Sequence, residues 1–129
     1  MQPIPPATSY TATLIVTDAH SAAALGSGDL PVLGTPAMTA LMEQAAMRAI
    51  APFLETGTES SVGISLTVTH ERATAIGDTV TATATVTHTD GRRIDFAVTA
   101  SDSSGNVIGK GTHARFIVDV QKFMARIGK

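Results

Sequence analysis

Cysteine and tryptophan are absent from the 129 residues, and the aromatics amount to one tyrosine and four phenylalanines. Without cysteine there is no disulfide framework, no thiolate nucleophile and no cysteine-rich zinc site. Charge of neither sign dominates: nine Lys/Arg against eleven Asp/Glu leave a net charge of −2. Such a balance excludes the basic excess that nucleic acid or an anionic membrane surface attracts. No apolar run approaches the ~18 residues that a membrane-spanning helix needs. The opening "MQPIPPATSY" lacks the basic and apolar regions of a secretory signal. These absences describe a soluble cytoplasmic protein. Its length suits one domain, residues 1–129, able to bury roughly two-thirds of its unfolded surface.

What is present is one strong helical segment among strands. "SYTATLIVT" (9–17) alternates Tyr10, Ala12, Leu14 and Val16 with threonines. Residues 18–34 are small and Gly-rich, as a mobile loop would be. Thr35-Pro36 then supplies a helix start, an N-cap hydroxyl followed by proline, and the helix should run to about Leu54. In "VGISLTVTH" (62–70) the even residues Ile64, Leu66 and Val68 share an inward face. "DTVTATATVTHTDGRRIDFAVTASD" (78–102) reads as a hairpin, with Val80, Ala82, Ala84 and Val86 opposing Ile94, Phe96, Val98 and Ala100. Even must oppose even, which requires a loop of odd length with Gly91 at positive φ. A last strand spans 106–120, and the tail adds a short helical turn. One helix must therefore cover four or five one-sided strands. The economical fold is α+β, a curved antiparallel sheet wrapped around that helix. Its open edges invite pairing with a second copy.

The helix carries one misplaced charge. With Glu43 at 0° and 100° per residue, Met38, Leu41, Met42, Ala45, Ala49 and Phe53 fill a broad apolar arc. Gln44 and Arg48 lie about 100–140° away. No cation stands at i±3 or i±4, so a helical ion pair is excluded. Either Glu43 reaches solvent or a neighbouring backbone, or it is a carboxylate in a partly apolar cleft, fit for acid–base work. His70 continues the inward series of its strand, and Thr35 puts a hydroxyl and the helix's positive end two turns before Glu43. A hydroxyl, a carboxylate and an imidazole around one helix suffice for acyl transfer or hydrolysis without cysteine or metal. By contrast, "GNVIGKG" (105–111) lacks the helix a phosphate loop requires. His20, His88 and His113 are too scattered for a zinc site.

Three stretches resemble the fluoroacetyl-CoA thioesterase family of hotdog-fold acyl-CoA thioesterases. They are "LPVLGTPAMTALMEQAAMRAIAPFL", "VGISLTVTHERATAIGDTVTATATVTHTDGRR" and "IGKGTHARFIVDVQKF", in order, over roughly residues 28–124. The resemblance implies a five-stranded antiparallel sheet around a central helix, no cofactor, and a homodimer with its acyl-CoA pocket at the subunit interface. It implies that Thr35, Glu43 and His70 form the catalytic set, that Gly63 lies beside the thioester, and that Arg115 lines the pocket. Leu30 stands about where the fluoroacetyl-specific enzyme carries a lid aromatic, so a general short-chain acyl-CoA hydrolase is expected, fluoroacetyl-CoA-like substrates included. Two other readings share the groove: a non-catalytic acyl-CoA or small-ligand binder, and an acyl-CoA hydratase. The hydratase's Asp-x-x-x-x-His arrangement is not met by Asp18, Asp29 or His20.

Overall fold

A computed structural model describes residues 1–128. Five strands, β1 (Ser9–Ile15), β2 (Glu59–His70), β3 (Thr79–Asp90), β4 (Arg93–Ser101) and β5 (Val107–Asp119), form one antiparallel sheet in the order β1-β3-β4-β5-β2. The long helix α2 (Thr35–Ile50) lies on its inner face; the short helix α1 (Ala22–Leu25) touches α2, and α3 (Val120–Arg126) packs on β5. No described helix is long and apolar enough to cross a membrane.

The core is where the alternation places it. Val80, Ala82, Ala84 and Val86 of β3 and Ile94, Phe96, Val98 and Ala100 of β4 are buried. They meet Met38, Leu41, Met42, Ala45, Ala46, Ala49 and Ile50 of α2. Ala45, Ala46 and Ala49 on the helix and Ala82, Ala84 and Ala100 on the sheet let the two lie close together. A buried methionine such as Met42 stabilises by roughly 2 kcal/mol.

Several boundaries differ from the sequence expectation. The α-helix stops at Ile50 and continues only as a 3₁₀ turn, Ala51–Phe53. Pro52 has no N–H for the next i−4 bond, and its ring collides with the preceding turn. Residues 18–34 hold a 3₁₀ turn, Asp18–His20, and α1, capped by the Ser21 hydroxyl, which accepts from the Ala24 N–H. The β3–β4 loop has two residues, not an odd number: Asp90 pairs with Arg93 across Gly91 (φ 58°) and Arg92. Parity is restored by a bulge at Thr87, between the pairs Val86–Phe96 and His88–Asp95. The predicted even-to-even pairing therefore holds only beyond that bulge.

On β2, Ile64 does not point inward. It is the extra residue of a bulge, between the pairs Gly63–Arg115 and Ser65–Ala114, and is 46% exposed. After it Leu66, Val68 and His70 face the helix, each half-buried.

Candidate active site

The expected site residues fall into two clusters along α2. The first is at its N-terminus. Gly34, not Thr35, is the N-cap, so Thr35 is already the first helical residue and Pro36 the second. That shift frees the Thr35 hydroxyl from capping. It instead makes a 2.7 Å hydrogen bond with His70 Nδ1. His70 Nε2 is buried and has no hydrogen-bond partner among the described residues. Burial pushes the pKa of His70 down, so the ring is neutral near pH 7. Thr35 and His70 line a cleft of about 300 Å³ with Ala22, Val32, Leu33 and Arg72. Leu30 is 60% exposed and is not part of this lining.

The second cluster surrounds Glu43, eight residues on, or about 12 Å along the helix axis. Glu43 sits at the rim of the buried arc, about 20° from Ile50. Its side chain is 43% exposed, and Arg115 Nη1 stands 3.9 Å from Oε2. Gly63 lies against the same carboxylate: a Cβ built there would be 2.8 Å from Glu43 Oε2 and 3.2 Å from His113 Cε1. Only glycine permits that approach, so the residue's role here is steric. Its φ is not positive.

Arg115 is not a surface strand charge. It is buried, with Nε donating to Ser61 Oγ at 2.8 Å and Nη2 to the Ser61 carbonyl at 2.9 Å. Nη1 donates to His113 Nε2 at 3.2 Å. His113 in turn donates from Nδ1 to the Ser65 carbonyl at 2.7 Å and stacks on Phe96, ring centroids 5.9 Å apart. Burial lowers the pKa of His113, the Arg115 cation adds to the fall, and the Ser65 carbonyl and Glu43 oppose it. Burial also lowers that of Arg115, against the pull of Glu43.

Among the described residues, no hydrogen bond or ion pair joins Glu43 to His70 within one chain. The expectation that His70 points at the helix is met, but at Thr35 rather than at Glu43. The imidazole beside Glu43 is that of His113, which sequence reading weighed only as a zinc ligand. Ser61 was not singled out either. The usable signal was the alternation rule: His113 and Arg115, two apart on a strand, share a face, and Ser61 and Gly63 do likewise.

The sequence profile of the fluoroacetyl-CoA-specific thioesterase family matches residues 16–121. The chain belongs to that family. A fluoroacetyl-CoA thioesterase from Streptantibioticus cattleyicolor is 45% identical over 96 residues, 74% of this chain and 68% of that one. A solved structure of the fluoroacetyl-CoA thioesterase FlK superposes with a TM-score of 0.89 at 36% identity, covering 98% of this chain and 96% of the other. A hot-dog-like protein from Thermanaerovibrio acidaminovorans, 24% identical, shares the fold with a TM-score of 0.82 over 98% of this chain and 95% of its own. The expected hotdog architecture, a curled five-stranded sheet around one long helix, is thus the fold of this family member.

Proposed function

We propose that the chain hydrolyses short-chain acyl-CoA thioesters to the free acid and CoA, in a site assembled from two copies of itself. Thioesterase chemistry on an acyl-CoA is the family's reaction. The observation that carries this reading is the close approach of Gly63 to Glu43, which sets strand backbone beside the carboxylate with no side chain between them.

Glu43 either takes a proton from water, whose oxygen then attacks the carbonyl carbon, or attacks with its own oxygen to give an anhydride that water opens. Both routes add one water across the thioester, break the C–S bond and release the CoA thiol. The oxyanion formed in attack accepts from the Gly63 N–H, worth about 3 kcal/mol for a well-placed donor. Arg115, fixed by Ser61, supports the developing negative charge beside it. His70 is neutral, so it orients water through Nε2 while Thr35 holds its Nδ1. With Leu30 exposed and no Phe, Tyr or Trp in the segment before α2, a general short-chain acyl group is the substrate expected, fluoroacetyl-like groups included. The working compartment is the cytoplasm, where acyl-CoA is held.

The homodimer supplies what one chain lacks. β2 is an edge strand, and Ile64 and Met47 expose apolar surface beside Glu43. Two β2 strands paired antiparallel about an axis between Leu66 and Thr67 set Gly63 of one copy against His70 of the other. That register brings the Glu43 cluster of one chain to the Thr35–His70 cluster of its partner.

The test is complementation. Glu43→Gln and His70→Ala should each lose on the order of 10²-fold in acetyl-CoA turnover. Mixed and allowed to exchange subunits, they should recover about a quarter of parental activity, because half the dimers are mixed and each regains one intact site. Wild-type turnover by Glu43→Gln rejects the catalytic assignment. No recovery on mixing rejects the shared site.

A further inference from the structure

His113 is buried, and both its ring nitrogens are committed. The Nδ1 proton goes to the Ser65 carbonyl, so Nε2 must be the lone-pair nitrogen, and it receives Arg115 Nη1. Nη1 is also the guanidinium atom nearest Glu43, at 3.9 Å, beyond hydrogen-bond range. Ser61 occupies Nε and Nη2. Nη1 carries two N–H groups: one goes to the imidazole, and for the other the Glu43 carboxylate, at 3.9 Å, is too far for a hydrogen bond.

We propose that His113 is a positioning residue for thioester hydrolysis: its Nε2 accepts one Nη1 N–H of Arg115 and so anchors the guanidinium 3.9 Å from Glu43, short of direct contact. The proposal rests on the reading of Glu43 and Gly63 as the reacting half-site. A guanidinium in direct hydrogen-bond contact would stabilise the charged carboxylate and so weaken Glu43 as base or nucleophile, since charge-assisted pairs of this kind are strong polar contacts. Held at 3.9 Å, the cation still lends its field to the site. The same ring ties down the bulge, because Ser65 is the residue after Ile64 and two beyond Gly63. The groups facing His113 are Ser65 from β2, Arg115 from β5, Phe96 from β4 and, across Gly63, Glu43 from α2. Arg115 is the only cation among them, and a protonated ring would repel it.

Two substitutions separate the ring's two tasks. His113→Asn places an amide donor near the Nδ1 position and offers Arg115 no acceptor. His113→Gln carries an acceptor to the Nε2 position. Both are made in the full chain and measured for acetyl-CoA kinetics, thermal unfolding and exchange of the Arg115 guanidinium protons by NMR. The expected result is a kcat lower by tenfold or more in His113→Asn with KM within about threefold, and kcat within about threefold of the parent in His113→Gln. Arg115 protons should exchange faster in the asparagine variant and stay protected in the glutamine variant. Equal kcat in the two folded variants, a loss confined to KM, or unchanged Arg115 exchange in His113→Asn overturns the proposal. Should the asparagine variant fail to fold, the glutamine variant decides: parental kcat with Arg115 protected supports the proposal, and loss of either overturns it. Exchange is read without turnover. A wrong Glu43 assignment, seen as parental activity in Glu43→Gln, is therefore told apart from a wrong role for His113.

Discussion

A methyl group at position 63 would meet chiefly the tip of a flexible carboxylate, with the His113 ring next at 3.2 Å, rather than backbone. The strain in Gly63→Ala is therefore relieved by moving Glu43, not by distorting β2. We expect the variant to fold with a melting temperature within a few degrees of the parent, and its kcat to fall on the order of 10²-fold, the cost of an ångström-scale misplacement. Circular dichroism on heating, alongside thiol release from acetyl-CoA, checks both halves. A variant that unfolds without loss of specific activity in its folded fraction contradicts the placement. At this scale Glu43 was legible from the helical wheel, because an unpaired acid next to an apolar arc is a local anomaly. His113 and Ser61 were not. Their roles depend on which strand lies beside β2, and the register to β5 is a long-range fact.

The hairpin shows how an element corrects its own parity. A two-residue loop sets Asp90 opposite Arg93, which would turn the buried face of one arm outward, and the extra residue Thr87 turns it back. Gly91 holds the loop at φ 58°. Gly91→Ala should destabilise the protein by about 1–2 kcal/mol, the cost of a left-handed backbone for an L side chain. Urea unfolding measures this, and unchanged stability would contradict the turn geometry. The same reasoning explains the start of α2. An N-cap at Gly34 rather than Thr35 is a shift of one residue, small for a helix boundary but decisive for chemistry, because it releases the hydroxyl for His70.

For the whole molecule, pH is the accessible variable. Burial holds both His70 and His113 below the ordinary value of 6.5. Unfolding releases them to that value, so between the folded pKa values and about 6.5 the unfolded state binds more protons, and stability rises with pH. Their contribution is fully present above about pH 6.5 and is lost as pH falls through the two lowered values. The melting temperature should be level from about pH 8 to 7 and then decline towards pH 5, before most carboxylates titrate. Glu59 and Asp102, both held below their ordinary values by hydrogen bonds, extend the loss at lower pH. A flat melting curve between pH 7 and 5 would contradict the burial of the two rings.

Periodicity in the chain determined the elements and their faces: a helix with one odd acid, strands that alternate threonine with valine and alanine, and a sheet that needs that helix as its cover. Those are local properties, set by 3.6 and 2.0 residues per repeat. The tertiary structure alone decided that Thr35 meets His70, that Gly63 lies under Glu43, and that Arg115 is locked by Ser61 and His113. Strand order, bulge position and the antiparallel run of α2 against β2 bring those groups together across tens of residues. No local pattern encodes such pairings, because the free energy that selects them belongs to the packed core as a whole.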